Sequence, residues 1–101
     1  MPDNTGFVRS IKEIRALTQA HKLKYPETAS SLDFQLGILE NQFEQYPRLD
    51  RESVENAINE ILYIKNMFDE NYVPDINGDP GTTPFDYAKD IAERIANFLG
   101  L

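Results

Sequence analysis

The spacing of apolar residues constrains this chain more than any other feature, because they recur every three or four positions rather than every second one. Such a period is that of an α-helix with one apolar face. Four stripes follow one another: Phe7, Ile11, Ile14, Leu17 and His21; Leu32, Leu36, Leu39, Phe43 and Tyr46; Val54, Ile58, Ile61, Leu62, Lys65, Phe68 and Tyr72; and Ala88, Ile91, Ala92, Ile95, Phe98 and Leu99. The sequence therefore predicts four helices and no sheet.

Residues that favour helix ends separate the four stripes. They predict helices from about Gly6 to Leu23, from Thr28 to before Pro47, from Asp50 to before Pro74, and from Thr83 to Gly100. Asp50 is the predicted N-cap of the third helix. Thr83, Pro84 and Asp86 have the order of an N-cap, a first-turn proline and a capping box. Gly100 is a natural C-terminal cap. Gly37, inside the second helix, predicts close approach of a neighbouring helix, with a kink as the alternative.

The four predicted helices form one domain over residues 1–101, since 101 residues is the size of a single domain. The first two connections are short, and short connections make neighbouring helices antiparallel. The third, over residues 73–82, is longer, acidic and rich in Pro and Gly. The expected fold is thus a single all-α, antiparallel, up-down bundle of four helices. Most aromatic residues are expected in its core, namely Phe34, Phe43, Tyr46, Tyr63, Phe68 and Tyr72. The five tyrosines are also candidates for placing hydroxyls at the rim of a protein-binding surface, namely Tyr25, Tyr46, Tyr63, Tyr72 and Tyr87.

The charge balance excludes several classes of partner. The chain has 10 basic and 17 acidic residues, which gives a net charge of −7. Nucleic-acid binding needs a basic surface that displaces phosphate counterions, and anionic membranes attract basic segments. The sequence therefore predicts neither nucleic-acid binding nor membrane binding. It has no apolar run long enough to span a bilayer and no opening that resembles a signal peptide, so a cytoplasmic location is expected.

The composition also speaks against an enzyme or a cofactor protein. With no cysteine, the chain offers no thiolate for metal binding or nucleophilic attack. Its one histidine, His21, is expected at a helix end or an interface rather than as a ligand. Ser30 and Ser31 lack a nucleophile motif, and no Gly-rich phosphate loop follows a strand. We expect neither catalysis nor a bound cofactor.

Charge is distributed unevenly along the chain. Residues 1–24 sum to +3 and residues 25–101 to −10. Asp69 and Glu70 come at the C-terminal end of the third helix, where the helix dipole disfavours carboxylates. One interpretation is a solvated surface that tolerates this cost. The other is a surface of carboxylates and tyrosines that receives a basic protein. Its predicted contacts are Asp69, Glu70, Tyr72, Asp75, Asp79, Tyr87 and Asp90.

The segment from Asp75 to Asp86 allows a separate hypothesis, calcium binding. Asp75, Asn77, Asp79 and Asp86 occupy positions 1, 3, 5 and 12 of a calcium loop. Over these 12 residues the chain resembles an EF-hand, and more closely the dockerin variant. It departs from that pattern at Pro80, where the turn takes Gly. The resemblance implies calcium as a possible ligand, while Asp86 is equally explained as a capping residue.

A small, cysteine-free, acidic helical bundle with such a surface resembles the bacterial immunity proteins that neutralise nuclease bacteriocins, including the colicin-type tRNase inhibitors. The similarity lies in the layout from Met67 to Leu99, where an amphipathic helix ends in acids, an acidic Pro/Gly loop follows, and another amphipathic helix closes the chain. Phage-encoded anti-defence proteins share this size, acidity and helicity. The resemblance implies a protein that binds a basic partner and blocks a nuclease-type cleft.

A structural role is the main alternative to inhibition. The opposite charges of residues 1–24 and 25–101 also suit contacts between copies of the chain. A homo-oligomerising structural or adaptor bundle is therefore the second hypothesis, and calcium binding is the third.

Overall fold

The computed structural model describes residues 5–71 and 83–101. Four α-helices account for almost all of these residues: α1 (Thr5–His21), α2 (Pro26–Glu44), α3 (Arg51–Asn71) and α4 (Pro84–Leu99). No strand occurs within the two described ranges. The all-α prediction is therefore confirmed. The predicted acidic Pro/Gly connection over residues 73–82 lies outside the described residues.

The helices pack as an antiparallel bundle. α1 and α3 each pack against both α2 and α4, while α2 and α4 meet only across the diagonal. Near the start of α1, the Phe7 ring lies 5.4 Å from that of Phe43 and 5.2 Å from that of Phe98, which are near the ends of α2 and α4. Arg51 at the start of α3 donates a 2.8 Å hydrogen bond to the carbonyl of Leu99 at the end of α4. Neighbouring helices therefore run in opposite directions, as predicted.

The first turn between helices differs from the prediction. α1 ends at His21, and Leu23, predicted inside the first helix, is exposed in the turn. α2 begins at Pro26 rather than Thr28, and its N-cap residue Tyr25 makes no side-chain capping bond. Proline is tolerated in a first helical turn because its missing N–H would have had no helical partner there. Pro26 thus opens α2, two residues before the predicted start at Thr28.

The predicted caps of the later helices are confirmed. Thr83 and Asp86 form a capping box, in which the Thr83 N–H donates to Asp86 Oδ2 at 3.0 Å. Gly100 ends α4 with a left-handed φ of 73°. Before α3, hydrogen bonds from the Ser53 hydroxyl and from backbone N–H groups lower the pKa of Asp50, as expected for an N-cap carboxylate. Local sequence signals therefore determine where α4 begins and ends and where α3 begins.

Aromatic side chains fill both ends of the bundle, and aliphatic ones fill the middle. Antiparallel packing brings the start of one helix beside the end of the next, so each end collects rings from several helices. One cluster contains Phe7, Phe43, Tyr46 and Phe98, and the other contains His21, Tyr25, Phe68 and Phe85. Between them lie buried aliphatic residues such as Ile11, Leu32, Leu36, Leu39, Ile61 and Ile95. His21, at the last position of α1, has the predicted helix-end role.

Three predicted core positions are wrong. Phe34 is 66% exposed and Tyr63 is 59% exposed. Each lies two residues after a buried position, and side chains two apart on a helix point about 200° apart. In α1, Leu17 is 46% exposed and the neighbouring Thr18 is fully buried. The Thr18 hydroxyl donates to the Ile14 carbonyl at 2.7 Å, which makes burial of this polar side chain tolerable.

Gly37 provides room for a side chain of a neighbouring helix, in line with the prediction of close approach. The guanidinium of Arg15, on α1, lies directly over it. A Cβ at position 37 would be 3.4 Å from Arg15 Cζ. Arg15 Nε donates to Asp33 at 2.9 Å and Nη1 donates to Glu40 at 3.1 Å. The small glycine thus leaves space for a guanidinium held by carboxylates one turn on either side.

We expect Gly37→Ala to raise the free energy of unfolding by about 0.5–1 kcal/mol. Alanine is favoured over glycine in a helix interior by about that amount, and 3.4 Å to the guanidinium is an ordinary contact distance. Gly100→Ala is the matched control, and its left-handed φ should make it destabilising by about 1 kcal/mol. Urea unfolding followed by circular dichroism measures both. A destabilised Gly37→Ala protein would show that the guanidinium cannot move.

Candidate partner-binding surface

Asp69 lies on the side of α3 that faces α4, where one lysine joins the two helices. Lys65, with a side chain only 13% exposed, donates to Asp69 and lies 3.1 Å from Asp86 Oδ1. Burial alone would lower the pKa of Lys65, but its bonds to Asp69 and Asp86 outweigh burial and raise it. The unfavourable position of Asp69 at a helix C-terminus is therefore offset by a cation one turn earlier.

Glu70 lies on a different face of α3 from Asp69. It is three residues after Met67 and seven after Tyr63, and these spacings place all three on one side of the helix. That side is exposed and adjoins α2. The predicted Asp69–Glu70 pair is therefore divided between two surfaces, because consecutive residues on a helix point about 100° apart.

Tyr87 and Asp90 belong to a third part of the surface, a groove between α1 and α4. Leu17 and Glu13 lie opposite them on α1. Tyr87 is 46% exposed, in keeping with the predicted role at a rim. Arg94 reaches back to Asp90 at 3.1 Å, so the charge of this carboxylate is partly compensated. The other predicted contacts, Tyr72, Asp75 and Asp79, lie outside the described residues.

The carboxylate of Asp86, at position 12 of the predicted calcium loop, already has several partners. It accepts hydrogen bonds from the Thr83 N–H and hydroxyl, and Lys65 is beside it. Burial alone would raise its pKa, but these partners lower it, so the carboxylate is held in its charged form. A calcium ion there would compete with an ammonium group. The other three predicted ligands, Asp75, Asn77 and Asp79, lie outside the described residues. Within residues 5–71 and 83–101, no three acidic or histidine side chains group as a metal site.

A partly apolar groove lies between α2 and α3, and we call it the α2–α3 groove. Its lining residues are Glu27, Thr28, Ser30, Ser31, Phe34, Gln35, Glu60, Tyr63, Ile64 and Met67. Phe34 and Tyr63 are more than half exposed, and Met67 is 41% exposed. Glu27 and Glu60 are also exposed. None of the described residues that line this groove is basic. Aromatic and methionine side chains with this exposure are typical of protein-binding surfaces.

The sequence predicts Phe34 and Tyr63 in the core, and because that prediction is wrong, this groove is not among the predicted sites. A signal for it was present, because both aromatic residues lie on the polar side of otherwise regular stripes. On a helix, side chains two positions apart point about 200° apart, so a residue two positions from a buried one is displaced from the buried face. Large aromatic side chains at such positions are the sequence sign of an exposed apolar surface.

No protein-family model, curated protein or solved structure matches this chain. Among the described residues, no helix is long and apolar enough to cross a membrane.

Proposed function

We propose that this protein binds and inhibits a basic protein, as a toxin immunity protein or an anti-defence inhibitor does, and that it acts in the cytoplasm without catalysis. The observation that carries the proposal is the combination of charge and exposed aromatic side chains on the hairpin of α2 and α3. Residues 26–71 hold ten carboxylates and three basic side chains. Phe34 and Tyr63 are exposed on the same hairpin.

In the proposed mechanism, the two kinds of side chain act at different stages of binding. Carboxylates at the rim attract a basic cleft and raise the association rate, an effect that salt screens. Aromatic side chains then bury apolar area at the centre and slow dissociation. An acidic surface held over a nucleic-acid cleft excludes the substrate by occupying the site of its phosphates. The proposed contacts are Glu27, Phe34, Glu60, Tyr63 and Glu70.

The contacts predicted on α4 make a second candidate surface. Glu13, Tyr87 and Asp90 are near one another, but Arg94 reduces the negative charge there. The same kind of partner would fit this surface less tightly, because one of its cations would meet Arg94. Reversing the charge on each surface in turn distinguishes the two.

Reversing charge on the α2–α3 hairpin should weaken capture of a basic partner. We expect the double variant Glu60→Lys/Glu70→Lys to lower the association rate by on the order of tenfold at low salt, because both carboxylates lie at the proposed rim. Both side chains are exposed, so the fold should be unchanged. The tagged protein is incubated with lysate of its source cells, eluted in a salt gradient, and compared with the variant by surface plasmon resonance on the eluted partner.

Glu13→Lys/Glu93→Lys is the matched control, since it makes the same charge change at exposed positions of α1 and α4. Loss of binding in this control alone would assign the partner to the α1–α4 surface. Recovery of only further copies of the chain would contradict inhibition and support the homo-oligomeric bundle. Asp69→Lys is a less suitable variant, because it would place a second cation beside Lys65.

A further inference from the structure

The shape of the α2–α3 groove restricts what can fill it. Exposed Phe34 stands on the α2 side, and Tyr63 and Met67 stand on the α3 side. Ser31 and Gln35 line the groove between them. Small and polar side chains between larger apolar ones leave a trough rather than a flat surface, which suits apolar side chains from an occupant.

The dimensions correspond to two turns of a helix. The lining residues span positions 27–35 of α2 and 60–67 of α3. At 1.5 Å per residue, these segments are roughly 10–12 Å long. Both walls are helices, whose backbone N–H and C=O groups are bonded within the helix, so a peptide cannot add here as a β-strand. A helix lying in the groove, with apolar side chains spaced three or four apart, meets both conditions.

The negative charge around the groove favours an occupant with positive charge. Glu27 and Glu60 line opposite sides, and Glu70 follows one turn after Met67. An acidic segment would bring like charges together, whereas lysine or arginine side chains would pair with these carboxylates. A two-fold dimer through this groove would also bring Glu27 and Glu60 of both copies together. The carboxylates therefore disfavour a second copy of this chain.

We propose that the α2–α3 groove binds a cationic amphipathic helix of the partner protein. Apolar side chains of that helix lie between Phe34, Tyr63 and Met67, and its lysine or arginine side chains face Glu27 and Glu60. This inference rests on the proposed function, since it names the part of the basic partner that the hairpin recognises.

A synthetic helix can test the proposal before the natural partner has been identified. The probe is a fluorescein-labelled 18-residue helix of leucine and lysine with one apolar face, and its counterpart carries glutamate in place of lysine. Binding to the full chain is measured by fluorescence anisotropy at low and physiological salt. Amide chemical shifts of the ¹⁵N-labelled protein locate the site. We expect the cationic helix alone to bind and to shift amides of residues 27–35 and 60–67.

Two double variants test whether the cationic helix binds in the α2–α3 groove. Phe34→Ser/Tyr63→Ser changes exposed residues of the groove and should weaken binding of the cationic helix at least tenfold. Leu17→Ser/Tyr87→Ser changes two other exposed apolar residues, on α1 and α4, and should change affinity less than about threefold. Circular dichroism is used to check that both variants retain their helices. Equal losses in the two variants, shifts confined to α1 and α4, no binding of the cationic helix, or self-association through this groove would each overturn the proposal.

The proposed function and this inference fail in different ways. If a basic partner is captured and Phe34→Ser/Tyr63→Ser still binds it normally, the groove assignment is wrong and the inhibitor proposal stands. If the cationic helix binds in the groove but the lysate yields no basic protein, the groove assignment stands and the inhibitor proposal fails.

Discussion

Phe43→Ala should lower the free energy of unfolding by about 3–5 kcal/mol, the usual cost of removing a fully buried phenylalanine. Phe43 has no exposed surface and its ring meets those of Phe7, Tyr46 and Phe98. The substitution removes an aromatic group that joins α1, α2 and α4 at one end of the bundle. Urea unfolding at neutral pH, followed by circular dichroism, measures the change.

Phe34→Ala is the matched control, because it makes the same substitution on the same helix at a position that is 66% exposed. Its free energy of unfolding should stay within about 0.5 kcal/mol of the parent, as surface substitutions usually do. The two variants should separate stability from binding. Phe43→Ala should lower the free energy of unfolding, whereas Phe34→Ala should weaken binding in the α2–α3 groove. A large loss of stability in Phe34→Ala would mean that this ring belongs to the core after all.

Arg15→Met should cost about 2 kcal/mol at pH 7. Hydrogen bonds to charged groups contribute about 1.5–3 kcal/mol, and partial exposure of the guanidinium screens part of that. The substitution leaves Glu40 without the guanidinium and leaves Asp33 with Lys22, 3.6 Å away. Arg94→Met is the control, since the Arg94–Asp90 pair is well exposed and should contribute less than about 0.5 kcal/mol.

The cost of Arg15→Met should depend on pH in a defined direction. The hydrogen bond from Arg15 lowers the pKa of Asp33 below its ordinary value. Stabilisation by this carboxylate is therefore present above its unfolded pKa of about 4 and is lost as the pH falls through the lower folded pKa. The difference in unfolding free energy between parent and variant should thus shrink between pH 5 and pH 3. A difference that is constant over this range would assign the effect to packing over Gly37 rather than to charge.

Of the contacts proposed for the α2–α3 groove, the sequence predicted only Glu70. Asp69 and Glu70 were recognisable from the sequence because they occupy an unfavourable helix end. Lys65 offsets the charge of Asp69 as an i,i+4 pair within α3. The sequence did not predict that Asp86 shares this lysine, since that depends on the distance between α3 and α4. Tyr87 was predicted at a rim and is exposed there. Phe34 and Tyr63 were assigned to the core because large aromatic residues are usually buried.

By itself, the sequence determined the number and order of the helices, the caps of α4, the antiparallel succession and the excess of negative charge. These depend on local spacing, on single capping residues and on composition. Only the tertiary structure decided which flank of each helix a neighbour covers. That choice exposes Phe34 and Tyr63, buries Thr18 and places Arg15 over Gly37. The physical reason is that the spacing of apolar residues within one helix defines its buried face. Contacts with side chains of other helices decide which residues at the edges of that face are covered.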